Sequence, residues 1–258
     1  YHEQIDALSR RLGVQLMVGA HAYQGFARVE IEGRTYEIGR DRTNAVYLYR
    51  PDTGQAPDRY DKIHRVPFGE YVPWVERVPM LHRWFIRWLT PYDHDYSLRP
   101  GREVVRFEAP GDQAARLVTP ICFEDTVGRL VRRMVYGESG RKQADALINL
   151  SNDGWFAGSV EGPQHLQIAV VRCIENRVPM ARAVNTGISG MVDSAGRVGP
   201  LVQRGHRYQR IAGHVTHSLE LDSRSTLFGQ VGDIPAWTMV LGTLLLAVGG
   251  FLRAPSGR

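Results

Sequence analysis

Two short segments carry the residues able to do chemistry. One reads Tyr60-Asp61-Lys62-Ile63-His64-Arg65-Val66-Pro67-Phe68-Gly69-Glu70-Tyr71-Val72-Pro73. The other reads Pro120-Ile121-Cys122-Phe123-Glu124-Asp125 and closes the apolar run Leu117-Val118-Thr119. A cysteine at the end of a buried strand, with a lysine elsewhere in the chain, points to thiol-based acyl chemistry. The thiolate is the reactive form, and a nearby cation favours it. Lysine usage sharpens the point. Of 32 basic residues only two, Lys62 and Lys142, are lysines. Where charge alone suffices the chain uses arginine. An amine at position 62 therefore reads as selected, because a compact ammonium shifts its pKa and donates in ways a guanidinium does not.

Three further strings follow in order: Asn149-Leu150-Ser151-Asn152-Asp153-Gly154-Trp155-Phe156, then Gln164-His165-Leu166, then Arg182-Ala183-Val184-Asn185-Thr186-Gly187-Ile188-Ser189. Together with the lysine and cysteine segments they resemble the carbon–nitrogen hydrolase (nitrilase) superfamily. Within it they are similar to the catalytic domain of the apolipoprotein N-acyltransferase family, over roughly residues 10 to 235. The resemblance implies a four-layer αββα sandwich and a Glu–Lys–Cys mechanism without a cofactor. It implies Cys122 as nucleophile, Lys62 as cation and oxyanion donor, and Glu70 as a further carboxylate beside the lysine. Phe123 stands where the family usually has tyrosine, so the ring is kept and the hydroxyl lost. Glu124 is expected to face the amine acceptor. Trp155 and Phe156 are expected to form the pocket wall, on a turn fixed by Asn152 and Asp153. His64 and His165 lack metal-ligand spacing and read as structural, and no metal is expected.

The general acid/base of the superfamily belongs, by the same resemblance, to a Trp-Pro-Glu motif before the first helix. No such tripeptide occurs in this sequence. The glutamate is expected upstream of Tyr1, and the chain reads as the back part of something longer. The partners implied are a phospholipid acyl donor, a diacylglyceryl-modified apolipoprotein acceptor and a membrane, with a monomer expected. A small-molecule amidase, or an inactive fragment lacking the glutamate, are the alternatives.

The elements that must position these residues are those of an α/β protein. A short amphipathic helix over 3–12 ends at Gly13, and strands are predicted over 15–20, 44–50, 104–108, 116–121, 146–150, 180–184, 190–193 and 211–215. Residues 21–43 read as a loop or weak hairpin, and the lysine segment as an irregular loop. Helices are predicted over 127–136 and 163–176. Cys173, within the second, reads as a small buried hydrophobe. A net charge of +5 suits an anionic lipid surface, and no nucleic-acid motif is present.

Two stretches depart from a soluble enzyme. Residues 74–89 hold three of the five tryptophans, Trp74, Trp84 and Trp88, interleaved with Arg77, Arg83 and Arg87. That mixture suits a lipid interface. Ala236 to Leu252 is a run of 17 uncharged residues, with Trp237 as anchor and Arg253 and Arg258 beyond it. A spanning helix needs roughly 17–25 residues, and trailing arginines place that end in the cytoplasm. The expected division is a catalytic domain at 1–233, a transmembrane helix at 234–252 and a cytoplasmic tail at 253–258. The catalytic domain would then lie on the extracytoplasmic side of a bacterial inner membrane.

Overall fold

The computed structural model describes residues 1–31, 34–75, 78–89, 97–109, 114–156 and 159–253. Its order of elements begins α1 (His2–Leu12), β1 (Leu16–Tyr23), β2 (Phe26–Ile31), β3 (Arg34–Gly39), β4 (Arg42–Arg50), β5 (Gly54–Asp61) and α2 (Pro79–Leu89). It continues with β6 (Phe107–Ala109), β7 (Ala115–Val118), α3 (Gly128–Tyr136), β8 (Ala146–Asn152), α4 (Glu161–Asn176) and β9 (Met180–Asn185). It closes with β10 (Gly190–Val192), β11 (Val198–Leu201), α5 (Leu227–Val231) and α6 (Ile234–Arg253).

Alternation along β4 explains the layering. Its side chains point to opposite faces in turn. Ala45, Tyr47 and Tyr49 pack with Ile5 of α1, whereas Val46 and Leu48 enter the main core. That core joins the sheet β1-β4-β5 to the sheet β11-β10-β9-β8-β7-β6. Behind the second sheet, Val131, Met134 and Val135 of α3 and Ala169 and Cys173 of α4 complete the core. The result is helix, sheet, sheet, helix. Strands β7, β8 and β9 run parallel, connected through α3 and α4. The chain therefore leaves all three at one edge of the sheet, where Cys122, Trp155 and Thr186 follow.

Several sequence expectations change. Residues 26–31 and 34–39 pair as a two-stranded ribbon, the hairpin of the two readings for that stretch, and a full strand, β5, paired to β4, runs into the lysine segment as far as Asp61. β5 carries Pro57 and is an edge of its sheet, where a missing N–H is tolerated. The strand expected at 104–108 is confined to Phe107–Ala109. No strand forms at 211–215; the outer strand is Val198–Leu201, paired to β10. Cys173 is fully buried, as expected, and burial pushes its thiol pKa up.

Helix α2 packs on the domain through Ile86 and Phe85 against Val72 and Val75. Met80, Trp84 and Trp88, spaced one turn apart, line an exposed stripe on it. Glu76 and Arg77 of this region lie outside the described residues, as do residues 254–258 of the expected tail. Helix α6 has 20 residues, a length of about 30 Å at the helical rise. Its window Ile234–Phe251 has mean hydropathy 1.7, is 0% buried and is long and apolar enough to cross a membrane.

The root of α6 is tied down by polar staples. Arg132 donates to the carbonyls of Phe228 and Gln230 at 3.0 and 2.8 Å. The Lys142 ammonium reaches the carbonyls of Arg177, Asp222 and Arg224 at 2.5, 2.5 and 3.1 Å. Three carbonyls around one nitrogen match the three protons of an ammonium, not a planar guanidinium. We expect Lys142→Arg and Lys142→Met to cost about 1–3 kcal/mol, the range for orphaned buried acceptors. Chemical denaturation measures the loss, and hydrogen exchange should quicken at 222–226.

Candidate active site

The lysine loop and the cysteine turn are joined by a buried carboxylate. Glu124 is 0% exposed. Its Oε1 accepts the backbone N–H groups of Ile63 and His64 at 2.8 and 2.9 Å, and its Oε2 accepts that of Ile121 at 2.8 Å. The Tyr60 hydroxyl donates to it at 2.9 Å. Burial raises its pKa to about 7, against the pull of those donors and of the Lys62 charge. Glu124 thus departs from expectation. It faces the core rather than an acceptor, because four donors from two segments converge on it there.

Lys62 follows β5 directly and is 1% exposed. Its Nζ donates to Glu70 Oε1 at 2.7 Å. Glu70 is itself held, accepting from Asn44 Nδ2 at 2.8 Å and from the Val66 N–H at 2.9 Å. A buried ammonium requires such a partner. The main chain behind it is fixed by Gly101, whose N–H donates to the Lys62 carbonyl at 2.7 Å. A Cβ at position 101 would meet the Asp61 carbonyl at 2.0 Å, so only glycine allows this approach.

Cys122 is half-buried and has φ +51°, a left-handed conformation rare for a side-chain-bearing residue. It opens a short 3₁₀ turn, Cys122–Thr126, before α3. Asn149 Nδ2 secures the bend, donating to the carbonyls of Pro120 and Cys122 at 3.1 and 3.3 Å. Strain of this kind costs about 1–3 kcal/mol and persists where surrounding contacts over-determine it. Phe123 is partly exposed and stacks on the His64 ring at 6.1 Å. Burial and the neighbouring Lys62 charge lower the His64 pKa.

The third turn follows β8. Asn152 Oδ1 accepts from the Gly154 N–H and from Asn185 Nδ2, at 3.2 and 2.8 Å. Asp153 is buried and accepts the Ser151 hydroxyl at 2.6 Å. Both bond within the turn, which presents Trp155 at 72% and Phe156 at 50% exposure.

Behind the two turns lies a charge network that the sequence reading missed. Asp125 is buried between His165 Nε2 at 2.7 Å and Arg182 Nη1 at 2.6 Å. His165 Nδ1 lies 3.3 Å from both Asp153 and Glu161. Burial alone would lower the His165 pKa, but its hydrogen bonds to Asp125 and Asp153 outweigh that and raise it to about 10. The imidazolium thus links the cysteine turn to the Trp155 turn. Asp153, Glu161 and His165 sit close enough to hold a metal ion. A protonated ring with carboxylates on both nitrogens, beside Arg182, fits a salt-bridge network better. Asp125, Asp153, His165 and Arg182 each stand in one of the quoted strings and Glu161 in none, and nothing in their spacing marks them as a set.

Comparison with known proteins bears on this arrangement. Residues 2–208 match the carbon-nitrogen hydrolase family. Among curated proteins, the chain is 32% identical over 256 residues to an apolipoprotein N-acyltransferase of Geobacter metallireducens, covering 98% of this chain and 43% of that protein. It is 35% identical to one of Bordetella bronchiseptica, covering 84% and 37%. It is 33% identical to one of Haemophilus influenzae, covering 95% and 42%. The chain thus spans about two fifths of the length of these relatives. Among solved structures, a Nesterenkonia sp. AN1 amidase superposes with TM-score 0.51 at 14% identity, covering 78% of this chain and 61% of that one. A carbon-nitrogen hydrolase from Helicobacter pylori G27 gives TM-score 0.50 at 15% identity, covering 78% and 62%. These two speak to the fold.

The geometry sets two expectations. Glu124→Ala orphans three backbone N–H groups, each worth about 1–3 kcal/mol when buried. It should destabilise the domain by about 3–5 kcal/mol, the range for breaking a buried polar network, and alter the rate at which iodoacetamide alkylates Cys122, while buried Cys173 stays inert. The second concerns pH. His165 is raised above its unfolded value of 6.5, so its stabilisation is complete below that pH and is lost as pH rises through about 10. Thermal midpoints should therefore fall from pH 7 to pH 10, less steeply in His165→Gln.

Proposed function

The chain belongs to the carbon–nitrogen hydrolase family, and from that premise we propose that it is the catalytic part of an apolipoprotein N-acyltransferase. Residues 1–233 form the catalytic domain in this reading, residues 234–252 the membrane span and 253–258 a cytoplasmic tail. The observation that carries it is the Glu124 tie between the Lys62 loop and the Cys122 turn, set beside exposed Trp155 and Phe156. An exposed aromatic surface beside a thiol supports the reading of acyl chemistry at that position. The name of the relatives, apolipoprotein N-acyltransferase, supports an apolipoprotein amine as the acyl acceptor.

In this mechanism the Cys122 thiolate attacks the ester carbonyl of a phospholipid. A tetrahedral intermediate forms, and its oxyanion is held by the Lys62 ammonium and the N–H of Phe123. Collapse breaks the ester C–O bond, leaving an acyl thioester on Cys122, and the departing lysophospholipid oxygen takes a proton. The α-amine of a diacylglyceryl-modified cysteine then attacks the thioester. The C–S bond breaks, an amide forms, and the thiol is regenerated with the proton the amine gives up. Glu70 acts as a positioning residue, holding Nζ at 2.7 Å. Glu70 and Glu124 are both engaged, and the family resemblance assigns proton transfer to the glutamate of a Trp-Pro-Glu motif, a tripeptide this sequence does not contain. The stripe Met80–Trp84–Trp88 and the apolar α6 support a domain seated on an extracytoplasmic membrane face.

The test is intact mass after incubation with phospholipid in mild detergent, using the chain alone and the chain joined to a segment carrying a Trp-Pro-Glu motif. The parent should gain a hydroxylamine-labile acyl mass, and Cys122→Ala should not. Lys62→Arg should slow acylation by about 10²–10³-fold, the cost of losing one oxyanion donor. Ammonia release from small amides without any acyl adduct would overturn the reading in favour of an amidase.

A further inference from the structure

From Ser194 to Leu219 the chain carries Arg197, Arg204, Arg207 and Arg210 with His206, His214 and His217, and no aspartate or glutamate. All seven basic side chains are exposed. Arg197 pairs with Asp193 at 3.4 Å. Arg204, Arg207 and Arg210 enter no ion pair among the described residues. Solvated arginines of this kind are ordinary when scattered. These are neither scattered nor randomly placed.

The backbones of Arg204 and Arg207 exchange hydrogen bonds at 3.0 and 3.2 Å across a tight turn at Gly205, φ +59°, which holds the two residues as a pair. The Arg210 N–H donates to the Thr186 carbonyl at 3.1 Å, fastening the segment to the edge where the parallel strands end. Arg210 lines the same small cleft as Phe156. From there the chain runs without regular structure to Asp222, whose carboxylate accepts the Ser194 hydroxyl at 2.7 Å and whose carbonyl accepts Lys142. It then enters α5 and α6. The basic segment therefore spans from the rim of the candidate site toward the root of the apolar helix. Exposed Trp155, Phe156 and Tyr208 flank it.

We propose that residues 203–217 dock on the anionic headgroups of phospholipids, on a surface distinct from the pocket that takes the acyl donor. Cations interleaved with exposed rings are the composition of a membrane interface, where arginine meets phosphate bidentately and rings sit among the headgroups. The apolar helix at the end of the same strap favours a lipid surface over a nucleic acid. Each basic residue at an anionic surface strengthens attraction by roughly fivefold, so three arginines account for roughly a hundredfold. The proposal rests on the membrane reading above, not on the identity of the reaction.

The test is millisecond hydrogen–deuterium exchange of the full chain in nanodiscs of phosphatidylcholine, alone or mixed with phosphatidylglycerol. Peptides covering 203–217 should be protected on the mixed discs only, and added salt should remove the protection. The triple variant Arg204→Gln/Arg207→Gln/Arg210→Gln should exchange on mixed discs as the parent does on phosphatidylcholine. An unchanged thermal midpoint would show that it still folds. Equal exchange on both discs, or protection that survives in the variant, overturns the proposal. So does equal protection from inorganic phosphate on phosphatidylcholine discs, which would mark an ion site instead. None of these readouts depends on acyl transfer, so failure here and failure of the acyltransferase reading are told apart.

Discussion

A carboxylate removed from water must find its donors inside the protein, and at Glu124 that requirement organises the candidate site. The donors are backbone N–H groups of Ile63, His64 and Ile121, with the Tyr60 hydroxyl. Three of them lie within two residues of Lys62 in sequence and one immediately precedes Cys122. Neither segment can move without stranding a buried charge or a buried N–H, so their separation is set by hydrogen-bond lengths. Glu70 then fixes the remaining freedom of the lysine, and Gly101 supports its backbone from behind.

A second buried network does for the other side of the cysteine turn what Glu124 does for the first. Asp125, one residue further on, is held by His165 and Arg182. Consecutive acidic residues thus point to opposite anchors, and the strained Cys122 stands just before them. The left-handed bend is affordable because Asn149 and both carboxylates restrain the turn from three directions. His165 extends the restraint to Asp153, so the exposed Trp155 and Phe156 inherit the order of the buried charges beneath them. All of this sits at the carboxyl ends of the parallel strands, the usual place for sites in sheets of this kind.

The outer surface follows a different logic. Apolar side chains on α2 and α6 stay exposed although the domain has a complete core without them. Large exposed apolar surface on a folded domain marks an interaction surface. Lys142 and Arg132 hold the root of α6 against α3 through backbone carbonyls. The segment leading into the apolar helix is thereby held to the domain by polar contacts.

Composition, motif order and hydrophobic patterning made much of the protein legible from sequence alone. The family follows from the resemblance that the quoted strings carry, while the α/β class, the helices α1, α3 and α4 and the apolar helix near the end follow from local signals such as helical spacing, the Gly13 stop and an uncharged run. The rarity of lysine singled out Lys62, and the structure gives both lysines buried carbonyl or carboxylate partners that arginine would not fit. What sequence did not reveal depends on long-range pairing. Strand β5 was hidden because Pro57 and polar residues are tolerated only on a sheet edge, and edge position is a tertiary fact. The direction of Glu124 was misjudged for a related reason: proximity to Cys122 in sequence says nothing of which side of the turn offers buried N–H groups. The Asp125–His165–Arg182–Asp153 network joins residues up to 57 positions apart, Asp125 to Arg182. Local chemistry names such residues as titratable; only the packed fold brings their charges within hydrogen-bonding distance, where burial makes each depend on the others.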